Sequence, residues 1–156
     1  MAAIAVIRIR GHMRIKQTIE DTMMNLRLTR TNHCVVLQDT PEVIGMVHKA
    51  KDYVTWGEIT VEDVENLIRN RGKMVGDKPI TDAEVAKATE YKTIKELAAA
   101  IHAGKIKYSK IEAFTPIFRL NPPRKGFKGG IKRSVQAHGS LGNRGKEMPK
   151  LLTRMI

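Results

Sequence analysis

The feature that most restricts this fold is a change of hydrophobic period, made twice within residues 1–59. Residues 3–10 alternate: Ala5, Ile7 and Ile9 fall on one side, and Ile4, Val6, Arg8 and Arg10 on the other, which is the period of a strand. Gly11 breaks it. Ile15, Ile19, Met23 and Leu26 then recur every three or four residues and predict a helix over 17–28, with Thr18 and Asp21 suited to its first turn. Thr29 to His33 is a polar link, and Cys34-Val-Val-Leu37 is a short buried strand. Asp39-Thr-Pro41 starts a second helix. Thr40 or Asp39 caps it, and Pro41 takes a first-turn position where its missing N–H does no harm. A third strand over 54–59, around Trp56 and Ile59, completes a β-α-β-α-β unit. Such a unit sets helices on one side of a small sheet and leaves the other side free.

More helices follow. Thr60 precedes Val61, Val64, Leu67 and Ile68, with Gly72 as the stop. Thr81 with Glu84, and Thr93 with Glu96, have capping-box spacing, a hydroxyl at the cap and a carboxylate three residues on. Residues 73–79 form a loop, 105–115 a basic connector, and 148–156 a short terminal helix. The chain divides into 1–59, a β-α-β-α-β core; 60–115, a helical addition; and 116–156, a Gly/Pro-rich tail. The class is α+β.

Charge separates the tail from the rest. Residues 116–156 carry ten Lys and Arg against a single acid, Glu147, so they hold +9 of the chain's +12. Such asymmetry requires a polyanionic partner. Within the tail, Arg124, Lys125, Lys128, Lys132 and Arg133 are interleaved with Gly126, Gly129 and Gly130, which let the backbone approach phosphates. Phe127 among them suits stacking on a splayed base. Arg119, Arg144 and Lys146 extend the set. Gly and Pro are too frequent here for a helix or a central strand. With little apolar material to offset ordering, this extended strap is expected to be mobile by itself. Two further basic patches belong to the core: Arg8, Arg10, Arg14 and Lys16 after the first strand, and Arg27, Arg30, Asn32 and His33 after the first helix. They sit at opposite ends of that helix, so both reach RNA only if the helix lies along it.

Catalytic and metal chemistry finds little footing. The histidines His12, His33, His48, His102 and His138 show no metal-ligand spacing on one helix. Cys34 sits inside an apolar run and reads as a buried structural thiol. Glu62, Asp63 and Glu65 cluster at a helix start, where the dipole favours carboxylates. Gly126-Phe-Lys-Gly-Gly130 lacks the order of a phosphate loop. No cofactor, metal or small-molecule substrate is expected, and no apolar run approaches a membrane span or a signal peptide, which by default leaves the cytoplasm.

Several stretches resemble the archaeal and eukaryotic branch of the large-subunit ribosomal protein L-thirty family. They are Ile4-Ala-Val-Ile-Arg-Ile-Arg-Gly11, Ile19-Glu-Asp-Thr22, Leu26-Arg-Leu28 and Asn32-His33-Cys34. Gly45-Met-Val-His-Lys-Ala-Lys-Asp-Tyr-Val54, Trp56-Gly-Glu58, Arg119-Leu-Asn-Pro-Pro-Arg124 and Leu141-Gly-Asn143 carry the likeness across nearly the whole chain, most weakly over 73–112. Motif order and spacing together make it specific. The resemblance implies a ferredoxin-like core whose three-stranded, largely antiparallel sheet has the first strand in the middle. Bacterial relatives would end near Ile59, and the long form adds the helices and the basic tail. The lack of a long lysine-rich N-terminal extension looks archaeal. Many archaeal members carry His where this chain has Asn121. The implied function is structural: binding large-subunit rRNA beside neighbouring ribosomal proteins, in the cytoplasm, without catalysis.

A DNA-binding regulator is the alternative from another class, with 60–71 and 82–91 or 94–103 as a helix pair. A recognition helix should be basic on its exposed face, whereas 60–68 carries three acids and no Lys or Arg. A small RNA-modifying enzyme would need an acid–base pair that the sequence does not offer.

Overall fold

β1 (Ala3–Arg8) is the centre of the sheet in the computed structural model, which describes residues 3–156. Met1 and Ala2, at the head of the 1–59 segment, lie outside the described residues. β2 (His33–Gln38) and β3 (Val54–Glu58) pair antiparallel with β1 on either side, Ile7 opposite Cys34 and Arg8 opposite Val54. α1 (Gln17–Asn25) joins β1 to β2, and α2 (Pro41–Lys49) carries the chain from β2 to β3. This is the core expected from the period changes.

The sheet has five strands rather than three, in the order β4-β2-β1-β3-β5. β4 (Phe118–Arg119) pairs antiparallel with β2, and β5 (Gly142–Asn143) runs parallel to β3. Two-residue strands are too short for alternation to register, so the sequence conceals them.

Neither face of the sheet is free. Ile4, Val6, Val35, Val54 and Trp56 pack with Met23, Leu26 and Leu28 of the α1 region and with Val47 and Ala50 of the α2 region. On the other face, Ala3, Ala5, Ile7, Cys34 and Val36 are covered by α3 (Val61–Arg71), α5 (Ile94–His102) and α6 (Met148–Met155). That explains why every residue of β1 is buried, although alternation suggests one wet face. The Cys34 thiol lies in this second core, and burial pushes its pKa up, as suits an inert structural thiol. The second core draws on residues from 1–59, 60–115 and 116–156 together.

Helix ends follow local chemistry. Thr40 accepts from Val43 N–H at 3.4 Å with Pro41 beside it. Thr60 and Asp63 close a full capping box on α3. At α5, Thr93 accepts from Glu96 N–H, but the Glu96 carboxylate reaches back to Lys92 N–H. Thr81 makes no cap bond to α4 (Asp82–Ala88), contrary to its capping-box spacing. Asp82 instead accepts from Ile94 N–H at 2.9 Å and ties α4 to the start of α5. α1 stops three residues before the expected position 28. Arg27 turns left-handed (φ 62°), Leu28 N–H donates to Met23 O and Arg27 N–H to Met24 O, the pattern of a Schellman end. Leu28 and Met23, both fully buried, supply the apolar contact that goes with it.

Candidate functional site

One end of the sheet gathers most of the candidate residues. β1 and β4 finish there, and β2, β3 and β5 begin there. Because β1 and β2 are antiparallel, α1 must leave and rejoin the sheet at this same end. The two core patches, expected at opposite ends of α1, are therefore neighbours.

Arg8 holds them together, and it does so from inside. It was expected to face RNA, yet it is 1% exposed. Its Nε donates to Arg10 O at 2.9 Å, and Nη1 donates to Leu28 O at 2.8 Å and Thr29 O at 3.3 Å. Nη2 lies 3.3 Å from His12 Nδ1, which is itself 2.9 Å from the Glu20 carboxylate. Burial lowers the Arg8 pKa, and the charges of Glu20 and Tyr53 oppose that shift. Alternation placed this side chain on the side of Ile4 and Val6, the side that α1 covers. What alternation could not show is that the carbonyls of two polar links converge there, and a guanidinium with five donors fits several carbonyls at once.

The other core residues line the surface of this end. Arg10 is half-buried over the Tyr53 ring at 5.2 Å and donates to Asp52 O. Arg14, Lys16 and Arg30 are exposed. Asn32, left-handed at φ 64°, is stitched by its N–H to Arg8 O and by its carbonyl to Leu120 N–H. His33 is half-buried. Its pKa is lowered first by burial, then by the charges of Arg119, Arg30 and Arg8.

The tail is folded, where the composition suggested an extended strap. Arg154 of α6 clamps the first turn: Nε and Nη2 donate to Arg124 O at 2.9 and 2.6 Å, and Nη2 also donates to Gly126 O. Further on, Val135 N–H donates to Leu141 O, Gly139 N–H to Ser134 O, and Ser140 N–H to Arg133 O. The fully buried Ser140 donates its hydroxyl to Lys128 O at 2.8 Å. At Gly139 a Cβ would lie 2.1 Å from Arg133 O, so only glycine closes this loop. Ordering here comes from backbone hydrogen bonds, which composition does not report. α6 adds the apolar anchor, burying Met148, Leu151, Leu152 and Met155, each contributing roughly 1.5–3 kcal/mol by removal from water.

This folding divides the tail's candidates. Arg124, Lys125, Lys128, Lys132, Arg133 and Lys146 are exposed. Arg119 is exposed and lies 3.3 Å from Asp77, the only ion pair that a residue of 116–156 makes among the described residues. Two are turned to structure. Phe127 is half-buried, packed against the second core. Arg144 donates to Thr55 Oγ1 at 3.0 Å and Ser140 O at 3.1 Å; burial lowers its pKa, with Glu147 opposing and Arg154 adding to the shift.

Sequence reasoning missed a cleft of about 380 Å³ where the α2–β3 turn meets the strap, which brings His48 and Lys51 beside Lys132 and Asn143. No local signal marks this, because β5 alone places the strap there. Among the described residues no group of three His, Cys, Asp or Glu is placed to hold a metal, and no helix is long and apolar enough to cross a membrane.

The family model described as Ribosomal protein L30p/L7e matches residues 4–54. Curated relatives match almost end to end. The large ribosomal subunit protein uL30 of Thermoplasma volcanium is 48% identical over 153 residues, covering 98% of this chain and 92% of that one. That of Methanobrevibacter smithii is 46% identical over 151 residues, covering 97% and 98%. That of Methanopyrus kandleri is 44% identical over 148 residues, covering 94% and 99%. The likeness therefore includes the strap and α6 as well as the β-α-β-α-β core.

Proposed function

The chain belongs to the uL30 family of large-subunit ribosomal proteins, and from that premise we propose that it is a structural, non-catalytic constituent of the large ribosomal subunit that binds rRNA at the strap end of its sheet. Its setting is the ribosome of the cytoplasm, among neighbouring large-subunit proteins. The observation that carries this reading is the disposition of the strap cations. Arg124, Lys125, Lys128, Lys132 and Arg133 are held by a folded backbone, face solvent, and have no carboxylate partner among the described residues. Cations fixed in that way meet phosphates with little further loss of freedom. Arg10, Arg14, Lys16, Arg30 and Lys146 widen the basic surface. Asn32, His33 and Arg119 border it, while Arg8 and Arg144 position it from beneath.

A DNA-reading helix pair is disfavoured. α3 and α5 spend their apolar faces on the sheet, and the exposed first turn of α3 carries Glu62 and Asp63.

Replacing Arg124, Lys125, Lys128 and Arg133 together by Ala tests the proposal. Affinity for large-subunit rRNA should fall about 10²-fold near 0.1 M salt, and the salt dependence should become shallower, since each lost phosphate contact removes ~0.7–0.9 from its slope. Circular dichroism should stay unchanged. Unaltered affinity would overturn the reading.

A further inference from the structure

A second groove lies beyond β4, between the end of α3, the 73–79 loop and the chain leaving β4. It encloses about 340 Å³, within the ~300–1,000 Å³ typical of small-molecule sites. Its wall is built. Gly72 turns out of α3 at a point where a Cβ would meet Ile68 O at 2.3 Å. The 73–79 loop is tied to the next segment by Val75 N–H to Ala113 O and Thr115 N–H to Lys73 O.

Three features mark its chemistry. Lys73 and Arg119 converge on one carboxylate, Asp77, at 3.6 and 3.3 Å. Asp77 and Arg119 are exposed and Lys73 is half-buried, and such surface pairs are worth only about 0–1 kcal/mol, so a phosphate can take the place of Asp77. Arg71, donating to Ile156 O, adds a further positive charge, and these cations outweigh the negative end of the α3 dipole. Asn121 projects an amide with no hydrogen-bond partner among the described residues, and an amide offers a donor and an acceptor side by side to a base edge. Leu120 and Ile117 supply an apolar floor. The groove continues into the strap end through Arg119, which pairs with His33 across β4 and β2.

We propose that this groove takes one extruded nucleotide of single-stranded RNA, its phosphate on Lys73 and Arg119 and its base edge on Asn121, with Asp77 holding the phosphate position until RNA arrives. The proposal deepens the rRNA-binding reading and rests on it. A neutral or basic protein segment is disfavoured by charge, since Arg69, Arg71, Lys73 and Arg119 line the groove against one lining carboxylate, Asp77.

The experiment uses the full chain with two RNA probes, a mixed-sequence single-stranded pentanucleotide and a blunt RNA duplex, and a Glu-rich peptide of similar length. Asp77→Asn should tighten the pentanucleotide about threefold, and Asn121→Ala should weaken it about fivefold, the effect of one lost hydrogen-bonding group. Duplex and peptide binding should not move. Both substitutions are at exposed positions, and unchanged circular dichroism verifies the fold. The inference is overturned if both variants bind the pentanucleotide like the parent, if duplex binding shifts equally, or if Asp77→Asn tightens only the peptide. If these variants are silent while the fourfold strap variant still loses rRNA affinity, this groove alone is misassigned. If the strap variant is silent as well, the rRNA reading falls with it.

Discussion

The links around α1 and the strap over 124–146 meet at the same end of the sheet, and both are rich in arginine and lysine, but they use charge in opposite directions. In the first, Arg8 turns inward and its guanidinium serves the carbonyls of Arg10, Leu28 and Thr29. In the second, backbone groups satisfy one another and Arg154 supplies the clamp, so Lys125, Lys128 and Arg133 turn outward. The α1 links bury Arg8 to serve three carbonyls, whereas the strap needs only Arg144 on Ser140 O and Arg154 on Arg124 O and Gly126 O, and its remaining cations stay in solvent. The sign of the charge is identical in the two cases, and the supply of acceptors decides where it goes.

The sharpest way to break this contrast is Arg8→Met. It removes every guanidinium bond and strands buried acceptors, so stability should drop by about 3 kcal/mol, read as a lower urea midpoint. RNA affinity should fall only where the protein unfolds, the reverse of the fourfold strap variant. Next is Gly57→Ala. A Cβ there would lie 2.5 Å from Gly145 O and 2.7 Å from Met148 Cβ, where β5 passes into α6. Overpacking of this kind costs about 2 kcal/mol, and strap amides should exchange faster than those of β1. A smaller gain is expected from Arg27→Gly. It relieves a left-handed residue at the end of α1 and should stabilise by about 0.5 kcal/mol net of glycine's greater chain entropy, visible as a higher urea midpoint.

The smallest effect concerns His33, where the link after α1 meets β4. Its folded pKa lies below the ordinary imidazole value of 6.5. The unfolded chain therefore binds the proton more readily, so stability is full above about pH 6.5 and declines as pH falls toward the folded pKa. His33→Gln should flatten that part of a stability–pH profile. An unchanged profile would show that neither burial nor the charges of Arg119, Arg30 and Arg8 lowers this imidazole in the folded chain.

The core β-α-β-α-β order was legible because each element is long enough to show its period, and Asp39-Thr40-Pro41 marks the start of the second helix chemically. The outer strands were not legible, since Phe118–Arg119 and Gly142–Asn143 are defined by partners far away in the chain. The same limit applies to the candidate interface. Composition located the basic tail and the exposed lysines within it. It could not tell Arg144 or Phe127 from their neighbours, because their burial depends on Thr55, Ser140 and the second core. Asn121 stood out in the sequence only as a departure, and its place in a groove comes from the fold of 73–79 beside it.

One stretch of chain closes both borders of the sheet, β4 against β2 and β5 against β3. While a nascent chain still lacks Phe118 onward, β2 and β3 each present a free row of N–H and C=O groups, a template on which a second copy can assemble. Protection against such cross-chain growth therefore arrives only after β1, β2 and β3 have all been made. It comes with the same residues that bring nine net positive charges, so copies become repellent to each other as their edges disappear.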